Sequence, residues 1–296
     1  MQVDRDRSAP IWLWGLGLLF ILGVLLPLVG LGLAYREPPG LFGAPELTFV
    51  RVWPLLLKSL ALSGLVSLLS LLIGTWFAWC ETRMAYRGRR LLSFLAVLAL
   101  ATPSYLIATI AREQFAPAGI FGSLLSLKGT FTGFWPAVLV LTVACTPYVH
   151  LLTSAALRRC PIAEEESARS LGANSRRMLM TVIVPRRRST WSFALVLVGL
   201  YVVSDFGAVA ILDCEVLTWE LYKARDGREA VALAFGLLLV VLPLLAAVRL
   251  LKSKRFDDRA QVHRAIHRRP LSAGLLTVTW LLYGIVIGLG GFFPFV

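Results

Sequence analysis

Residues Cys160–Pro185 read CPIAEEESARSLGANSRRMLMTVIVP and separate two long apolar segments of the chain. The stretch is polar and basic, and most of its residues favour helices. It is 26 residues long, whereas a connection between neighbouring helices usually takes only about 2–8 residues. The extra length predicts that the stretch is a docking surface for another protein and not merely a turn.

The composition places the chain among membrane proteins. Of its 296 residues, 57% are hydrophobic and only 16% are charged, and the mean hydropathy is +0.75. The net charge of +13 does not indicate nucleic-acid binding, because no basic patch alternates with aromatic side chains. The four cysteines show no C-x-x-C spacing, and His263 and His267 lie in an Arg-rich segment, so no metal site is predicted.

Seven apolar segments are each long enough to cross a bilayer. They cover residues 11–34, 53–79, 91–111, 134–157, 191–212, 229–250 and 271–296. Pro103, Pro147 and Pro243 lie inside the third, fourth and sixth segments, where proline bends a helix. Residues 112–133 and 213–228 are predicted to be loops, and residues 251–270 a basic linker. The fold class is therefore an all-α integral membrane bundle.

The distribution of lysine and arginine predicts the orientation of the bundle. If the N-terminus is cytoplasmic, 22 of the 30 basic residues fall in cytoplasmic segments. Cytoplasmic loops carry the excess of basic residues in membrane proteins. We therefore expect a cytoplasmic N-terminus and a cytoplasmic location for Cys160–Pro185.

The docking stretch has the signals of two short helices joined at a glycine. Pro161 suits a first helical turn, and the glutamates that follow suit the positive end of the helix dipole. Gly172 is a natural helix stop. A second helix is predicted over Arg176–Val182, and Pro185 is expected to end it before the fifth span.

The pattern Glu166-Ser-Ala168-x3-Gly172, followed after twelve residues by Pro185, resembles the EAA loop of permease subunits in binding-protein-dependent ABC importers. The resemblance implies a bundle of six helices over residues 1–250, with residues 160–185 docking into an ATPase subunit. Ser167 departs from the alanine usual in this family. The positions implied in ATPase coupling are Glu165, Glu166, Ser167, Ala168, Leu171, Gly172 and Pro185.

Further motifs narrow the resemblance to the ferric-iron permease subfamily. They are Ser204-Asp205-Phe206-Gly207-Ala208, Leu221-Tyr222-Lys223 and Thr102-Pro103-Ser104-Tyr105. Thiamine and phosphonate permeases share parts of this pattern, so these substrates are alternatives to ferric iron. The positions expected at the translocation path or gate are Pro103, Pro147, Ser204, Asp205, Phe206 and Gly207.

Asp205 has two interpretations. A carboxylate at membrane depth is costly and usually marks a functional site, which favours a role at the pore or gate. Alternatively, Asp205 lies near the outer interface, where it caps a helix or binds a neighbouring helix end.

The resemblance also implies partners. Members of this subfamily are often fused duplications, so residues 271–296 are interpreted as a seventh helix that begins a second half. The alternative is a separate half that pairs with another chain or with a second copy. The sequence has no G-x-x-x-x-G-K-[ST] phosphate loop, so ATP and Mg²⁺ are expected in a partner ATPase dimer, and this chain is not expected to be an enzyme. A substrate-binding protein outside the bacterial inner membrane completes the expected system.

Two rival functions are considered. An ion-coupled secondary transporter would use Asp205 as its coupling carboxylate and would need no ATP. A membrane scaffold would use the docking stretch to recruit a soluble protein and would carry no flux.

Overall fold

The computed structural model describes residues 45–159, 167, 170–172, 177, 184–224, 227–252, 269–270 and 273–292. The predicted first span, residues 11–34, and most of the predicted linker, residues 251–270, lie outside this part of the chain. Within it, four helices are long and apolar enough to cross a membrane, or five if one bent pair is counted as a single span.

The described chain is almost entirely helical. The helices are α1 Pro45–Arg83, α2 Arg89–Leu98, α3 Ser104–Gln114, α4 Ile120–Leu124, α5 Phe134–Arg158, α6 Val184–Ser204, α7 Gly207–Ile211, α8 Leu217–Lys223, α9 Gly227–Lys252 and α10 Ala273–Ile287. A 3₁₀ turn follows α2 at Ala99–Ala101, and a π-helical turn follows α10 at Gly288–Phe292. Two strands of two residues, β1 Met84–Ala85 and β2 Arg269–Pro270, pair in parallel. The all-α membrane bundle is thus confirmed.

Helix α5 forms the centre of the bundle. Most of its side chains are buried, and it packs along α1, α6 and α3. One face of α1 carries serines that hydrogen-bond to neighbouring helices: Ser63 Oγ donates to the Gly199 carbonyl at 3.2 Å, and Ser70 Oγ to the Thr142 carbonyl at 3.3 Å. In a membrane, lipid tails are as apolar as the helix surface, so the hydrophobic effect does not drive helices together. Small residues let the helices approach closely enough for packing and hydrogen bonds to hold them.

The closest approach of α1 and α5 is at Gly74. A Cβ atom added there would lie 2.7 Å from Val149 Cβ and 2.9 Å from the His150 nitrogen. Gly74→Ala is therefore expected to push the helices apart and to lower the free energy of unfolding by about 1–3 kcal/mol. Thermal unfolding in detergent measures the loss. Gly64→Ala is the matched control on the same helix, because no atom lies within 4 Å of a Cβ there. An equal effect of both substitutions would contradict the assigned packing.

The third predicted span is broken more sharply than a proline kink. The helix axis bends by 102° between the segment that ends at Ala101 and α3. Thr102 is extended (φ −91°, ψ 119°), and Pro103 is also extended immediately before α3. The residue before a proline avoids the helical region, which explains the position of the break.

The fifth span differs from its prediction at both ends. It was predicted over residues 191–212, but α6 begins at Val184 and ends at Ser204, and a separate short helix, α7, follows. Pro185 lies in the first turn of α6, while most of the helix predicted over Arg176–Val182 lies outside the described residues. A first turn accepts proline because its N–H would have no intrahelical partner.

Two segments predicted as loops contain helices. Residues 112–133 include α4, and residues 213–228 include α8. Helix α8 forms because Leu217 and Glu220 are buried against α1 and α9, so tertiary packing outweighs the charged composition of the segment. Hydropathy alone does not register such contacts.

The seventh predicted span is a helix that packs into the bundle. The ring of Tyr283 on α10 stacks on Phe77 of α1 at a centroid distance of 3.8 Å. Trp76 Nε1 donates to Thr279 Oγ1 at 3.2 Å. Helix α10 is therefore part of the same packed unit as α1 and α2.

Candidate functional site: two broken spans meet at Asp205

The breaks in the third and fifth spans lie side by side and are joined by Asp205. One carboxylate oxygen, Oδ2, accepts a short hydrogen bond from Ser104 Oγ in the first turn of α3. The other, Oδ1, accepts the backbone N–H of Ala208 in α7 at 2.9 Å. Asp205 is only 9% exposed, so one buried carboxylate holds three helix ends together.

Close packing accompanies these hydrogen bonds. A Cβ atom at Gly207 would lie 2.8 Å from Tyr105 Cβ, so only glycine fits against the start of α3 at this distance. Thr102-Pro103-Ser104-Tyr105 and Ser204-Asp205-Phe206-Gly207, which the sequence singled out separately, therefore form one junction. We call these eight residues the break junction.

One side of the break junction is open. Pro103, Tyr105, Ser204 and Phe206 are exposed. The Phe206 ring lies 4.7 Å from the Tyr222 ring and 5.8 Å from the Trp219 ring, measured between centroids. The exposed side is thus lined by proline and aromatic rings around irregular backbone.

The structure separates the predicted gate residues into two groups. Pro103, Ser204, Asp205, Phe206 and Gly207 meet at the break junction. Pro147 does not belong to it, because Pro147 is buried within the continuous helix α5. The hydrogen bonds of Asp205 agree with the second interpretation of this residue, in which it caps and ties neighbouring helix ends.

Two described acidic residues between the fifth and sixth spans, Glu215 and Glu220, form ion pairs. Glu220 pairs with Arg51 at 3.0 Å and also with Lys223. Glu215 pairs with Lys58 at 2.8 Å, and this hydrogen bond lowers the pKa of the Glu215 carboxyl. These contacts fix α8 and its preceding loop to the start of α1.

The docking stretch is described only in part. Glu165, Glu166 and Ala168 lie outside the described residues. The Leu171 N–H donates to the Ser167 carbonyl at 3.1 Å, which is a helical hydrogen bond. Gly172 follows with φ +79°, the left-handed conformation of a glycine helix stop, and the Leu171 side chain is 87% exposed.

Sequence reasoning overlooked a buried charged cluster at the opposite side of the bundle from Glu215. Arg83 Nη2 donates to the Leu157 carbonyl at 3.1 Å, so the ends of α1 and α5 meet where residues 160–183 leave α5. Glu81 and His150 lie close by, 3.1 Å apart. A histidine inside an apolar span was the available signal, because ionisable residues at such positions are rare.

Comparison with known proteins identifies the family. The sequence model of one protein family, the binding-protein-dependent transport system inner membrane component, matches residues 70–255. The ferric-iron transport permease FbpB 2 of Haemophilus influenzae is 26% identical over 243 residues, which are 81% of this chain and 45% of that protein. The sulfate permease CysW of Synechocystis is 27% identical over 231 residues, 71% of this chain and 79% of that protein. The molybdenum permease ModB of Escherichia coli K12 is 31% identical over 136 residues, 45% of this chain and 59% of that protein.

The chain thus spans less than half of the length of the ferric-iron relative. Among solved structures, a bacterial ABC transporter that imports alginate superposes with a TM-score of 0.60 at 18% identity, covering 81% of this chain and 93% of that chain. The methionine transporter MetNI superposes with a TM-score of 0.51 at 18% identity, covering 71% and 98%. The family match extends over more than half of the 296 residues, so the chain belongs to the binding-protein-dependent transport system inner membrane components.

Proposed function

We propose that this chain is one transmembrane half of an ATP-driven importer and that the break junction lines its substrate path. The observation that carries this proposal is the pairing of two broken spans at one buried carboxylate, Asp205, beside an exposed face. Irregular backbone is tolerated at membrane depth only where protein buries it or where it lines a water-filled cavity. The exposed side of the junction therefore faces a second permease half across an aqueous path, and not lipid.

The second permease half is either fused to this chain or separate from it. The exposed rings of Phe206 and Tyr222 would face that half across the path. Aromatic side chains there can close the path to water and ions by packing against each other. Displacement of the end of α6 relative to α8 would separate the Phe206 and Tyr222 rings.

The docking stretch, on the cytoplasmic side, would transmit the ATP-driven movement of the partner ATPase to the bundle. Glu165, Glu166, Ser167, Ala168, Leu171 and Gly172 would insert into a groove of a partner ATPase, and Pro185 would stiffen the start of α6. ATP and Mg²⁺ would bind to the partner dimer. Closure of that dimer would then move the end of α5 and the start of α6 as one unit, since the docking stretch joins them.

For the substrate we propose ferric iron, delivered by a binding protein. This choice rests on the subfamily motifs of the break junction and of Leu221-Tyr222-Lys223, since the relatives do not distinguish iron from sulfate: the ferric-iron relative covers 81% of this chain and the sulfate permease CysT of Salmonella typhimurium covers 89%, both at 26% identity. A tetrahedral oxyanion is the second candidate, because relatives named for sulfate and molybdenum match at similar identity. Thiamine and phosphonate are further alternatives from the subfamily resemblance.

Reconstitution tests the function and the substrate together. The chain, its second half and its ATPase are placed in proteoliposomes with ferric-iron, sulfate, molybdate, thiamine or phosphonate binding proteins. We expect uptake of labelled ferric iron that requires both ATP and the binding protein. Uptake driven by a proton or sodium gradient without ATP would support the ion-coupled rival, and absence of flux with every binding protein would support the scaffold.

A further inference from the structure

A buried charged cluster lies where the docking stretch leaves the bundle. The Glu81 carboxylate near the end of α1 is its centre. Its Oε2 lies 3.1 Å from His150 Nε2 and accepts Ser154 Oγ at 2.9 Å. Its Oε1 pairs with the guanidinium of Arg158, the last residue of α5. We call Glu81, His150, Ser154 and Arg158 the carboxylate clamp.

The interior of the carboxylate clamp is shielded from solvent, whereas the Arg158 side chain is 61% exposed. The His150 side chain is 2% exposed and that of Glu81 is 14% exposed. An ionised carboxylate only accepts hydrogen bonds, so His150 donates its Nε2–H to Glu81, and Ser93 Oγ, 2.9 Å from the same nitrogen, shares that N–H as a second acceptor. The buried Glu81–His150 contact adds little net stability over an apolar replacement, which favours a role in holding α1 and α5 in a fixed arrangement.

The clamp also reaches the broken third span. Ser93 Oγ on α2 lies 2.9 Å from His150 Nε2. Helix α2 leads through the turn Ala99–Ala101 directly to Pro103 and the break junction. A chain of contacts therefore runs from the end of α5 through Glu81 and His150 to α2, and from α2 along the backbone to Asp205.

A second contact joins the ends of α1 and α5 beside the carboxylate clamp. Arg83, which is 6% exposed, donates from Nη2 to the Leu157 carbonyl at 3.1 Å. A cation at the last carbonyls of a helix is favourable for its dipole. Two charged residues at the end of α1 thus contact the final turns of α5, Glu81 through side chains and Arg83 through the backbone.

We propose that the carboxylate clamp is the positioning element that carries movement of the docking stretch into α2 and the broken third span. The inference rests on the proposed ATP-driven function. Docking-stretch movement enters the bundle at Arg158, because this residue ends α5. Without the clamp, the end of α5 would shift independently of α1 and α2, and the break junction would remain in place while ATP is hydrolysed.

The test measures cargo taken up per ATP hydrolysed in the reconstituted full complex, with labelled ferric iron, sulfate and molybdate as probes. Glu81→Gln keeps the shape of the side chain and removes its charge. Ser93→Ala removes only the hydroxyl that joins α2 to His150. We expect each variant to lower uptake per ATP by about five- to tenfold, while ATP hydrolysis changes less than about twofold.

Glu215→Gln is the matched control, since it removes a carboxylate from an ion pair at the other end of the bundle. It is expected to leave the ratio unchanged. The double variant Glu81→Gln/Ser93→Ala should resemble Glu81→Gln alone, because both residues act through His150. Should Glu81→Gln fail to insert, Ser93→Ala decides.

Two results would overturn the inference. One is an unchanged uptake-to-ATP ratio in Ser93→Ala and Glu81→Gln, even with a lowered Tm, because a purely structural clamp would affect stability alone. The other is additive loss in the double variant. If wild-type uptake does not depend on ATP, the proposed function itself fails, and that outcome is visible before any variant is compared.

Discussion

Asp205→Ala is expected to abolish most ATP-dependent uptake and to destabilise the protein. The substitution removes the acceptor of two hydrogen bonds, from Ser104 Oγ and from the Ala208 N–H. A buried donor left without a partner costs about 1–3 kcal/mol. The loss of both bonds frees α3 from α7, so we expect uptake to fall by at least about tenfold.

Asp205→Asn separates geometry from charge. The amide oxygen can still accept one hydrogen bond, whereas the amide nitrogen cannot replace the second acceptor. We expect intermediate stability and intermediate uptake, both measured on the purified complex. Glu113→Ala is the control, because Glu113 is an exposed carboxylate on α3 and lies outside the break junction. Wild-type uptake by Asp205→Ala would contradict the assignment of the break junction to the substrate path.

The sequence identified the two motifs that form the break junction, but it did not predict that they contact each other. Pro103 indicated a bend in the third span, and the structure confirms a break there. The fifth span, however, was predicted to continue through Asp205, because a hydropathy window averages over an interruption of two residues. That Ser104 bonds to Asp205, 101 positions away, depends on how the helices pack.

The same limit applies to the carboxylate clamp. Glu81 lies between the second and third predicted spans, where four arginines follow it closely between residues 83 and 90. In the structure α1 continues to Arg83, and the carboxylate turns towards α5. Pairs such as Glu81 and His150 are 69 positions apart, and a single sequence contains no signal that two such residues meet.

Segment boundaries fail for a related reason. Helix α8 was predicted as part of a charged loop, yet Glu220 is buried because Arg51 and Lys223 neutralise it. Local composition was therefore a poor guide where distant charges compensate. The long apolar helices were predictable because a continuous run of about 20 apolar residues is itself the signal of a membrane-spanning helix.

Gly172→Val is expected to uncouple ATP hydrolysis from uptake while the bundle stays folded. Gly172 has φ +79°, and no atom of the described residues lies within 4 Å of a Cβ built there. The substitution therefore causes backbone strain without a steric clash against neighbours. A β-branched residue in the left-handed conformation costs about 1–2 kcal/mol, which the chain avoids by changing its direction after Leu171.

The change of direction matters because it moves the surface offered to the partner. Leu171 is 87% exposed beside the glycine, as an apolar anchor for a groove would be. We expect weaker binding of the ATPase subunit and at least about a tenfold lower uptake in Gly172→Val. Binding is measured by co-purification, and uptake and ATP hydrolysis in proteoliposomes.

Gly172→Asn provides the matched control. Asparagine has a side chain of similar size to that of valine but adopts the left-handed conformation far more readily. If the backbone conformation at Gly172 directs the docking stretch, the asparagine variant keeps most of its uptake and the valine variant does not. Equal loss in both variants would show instead that any side chain at this position blocks docking, and equal retention would remove Gly172 from the coupling residues.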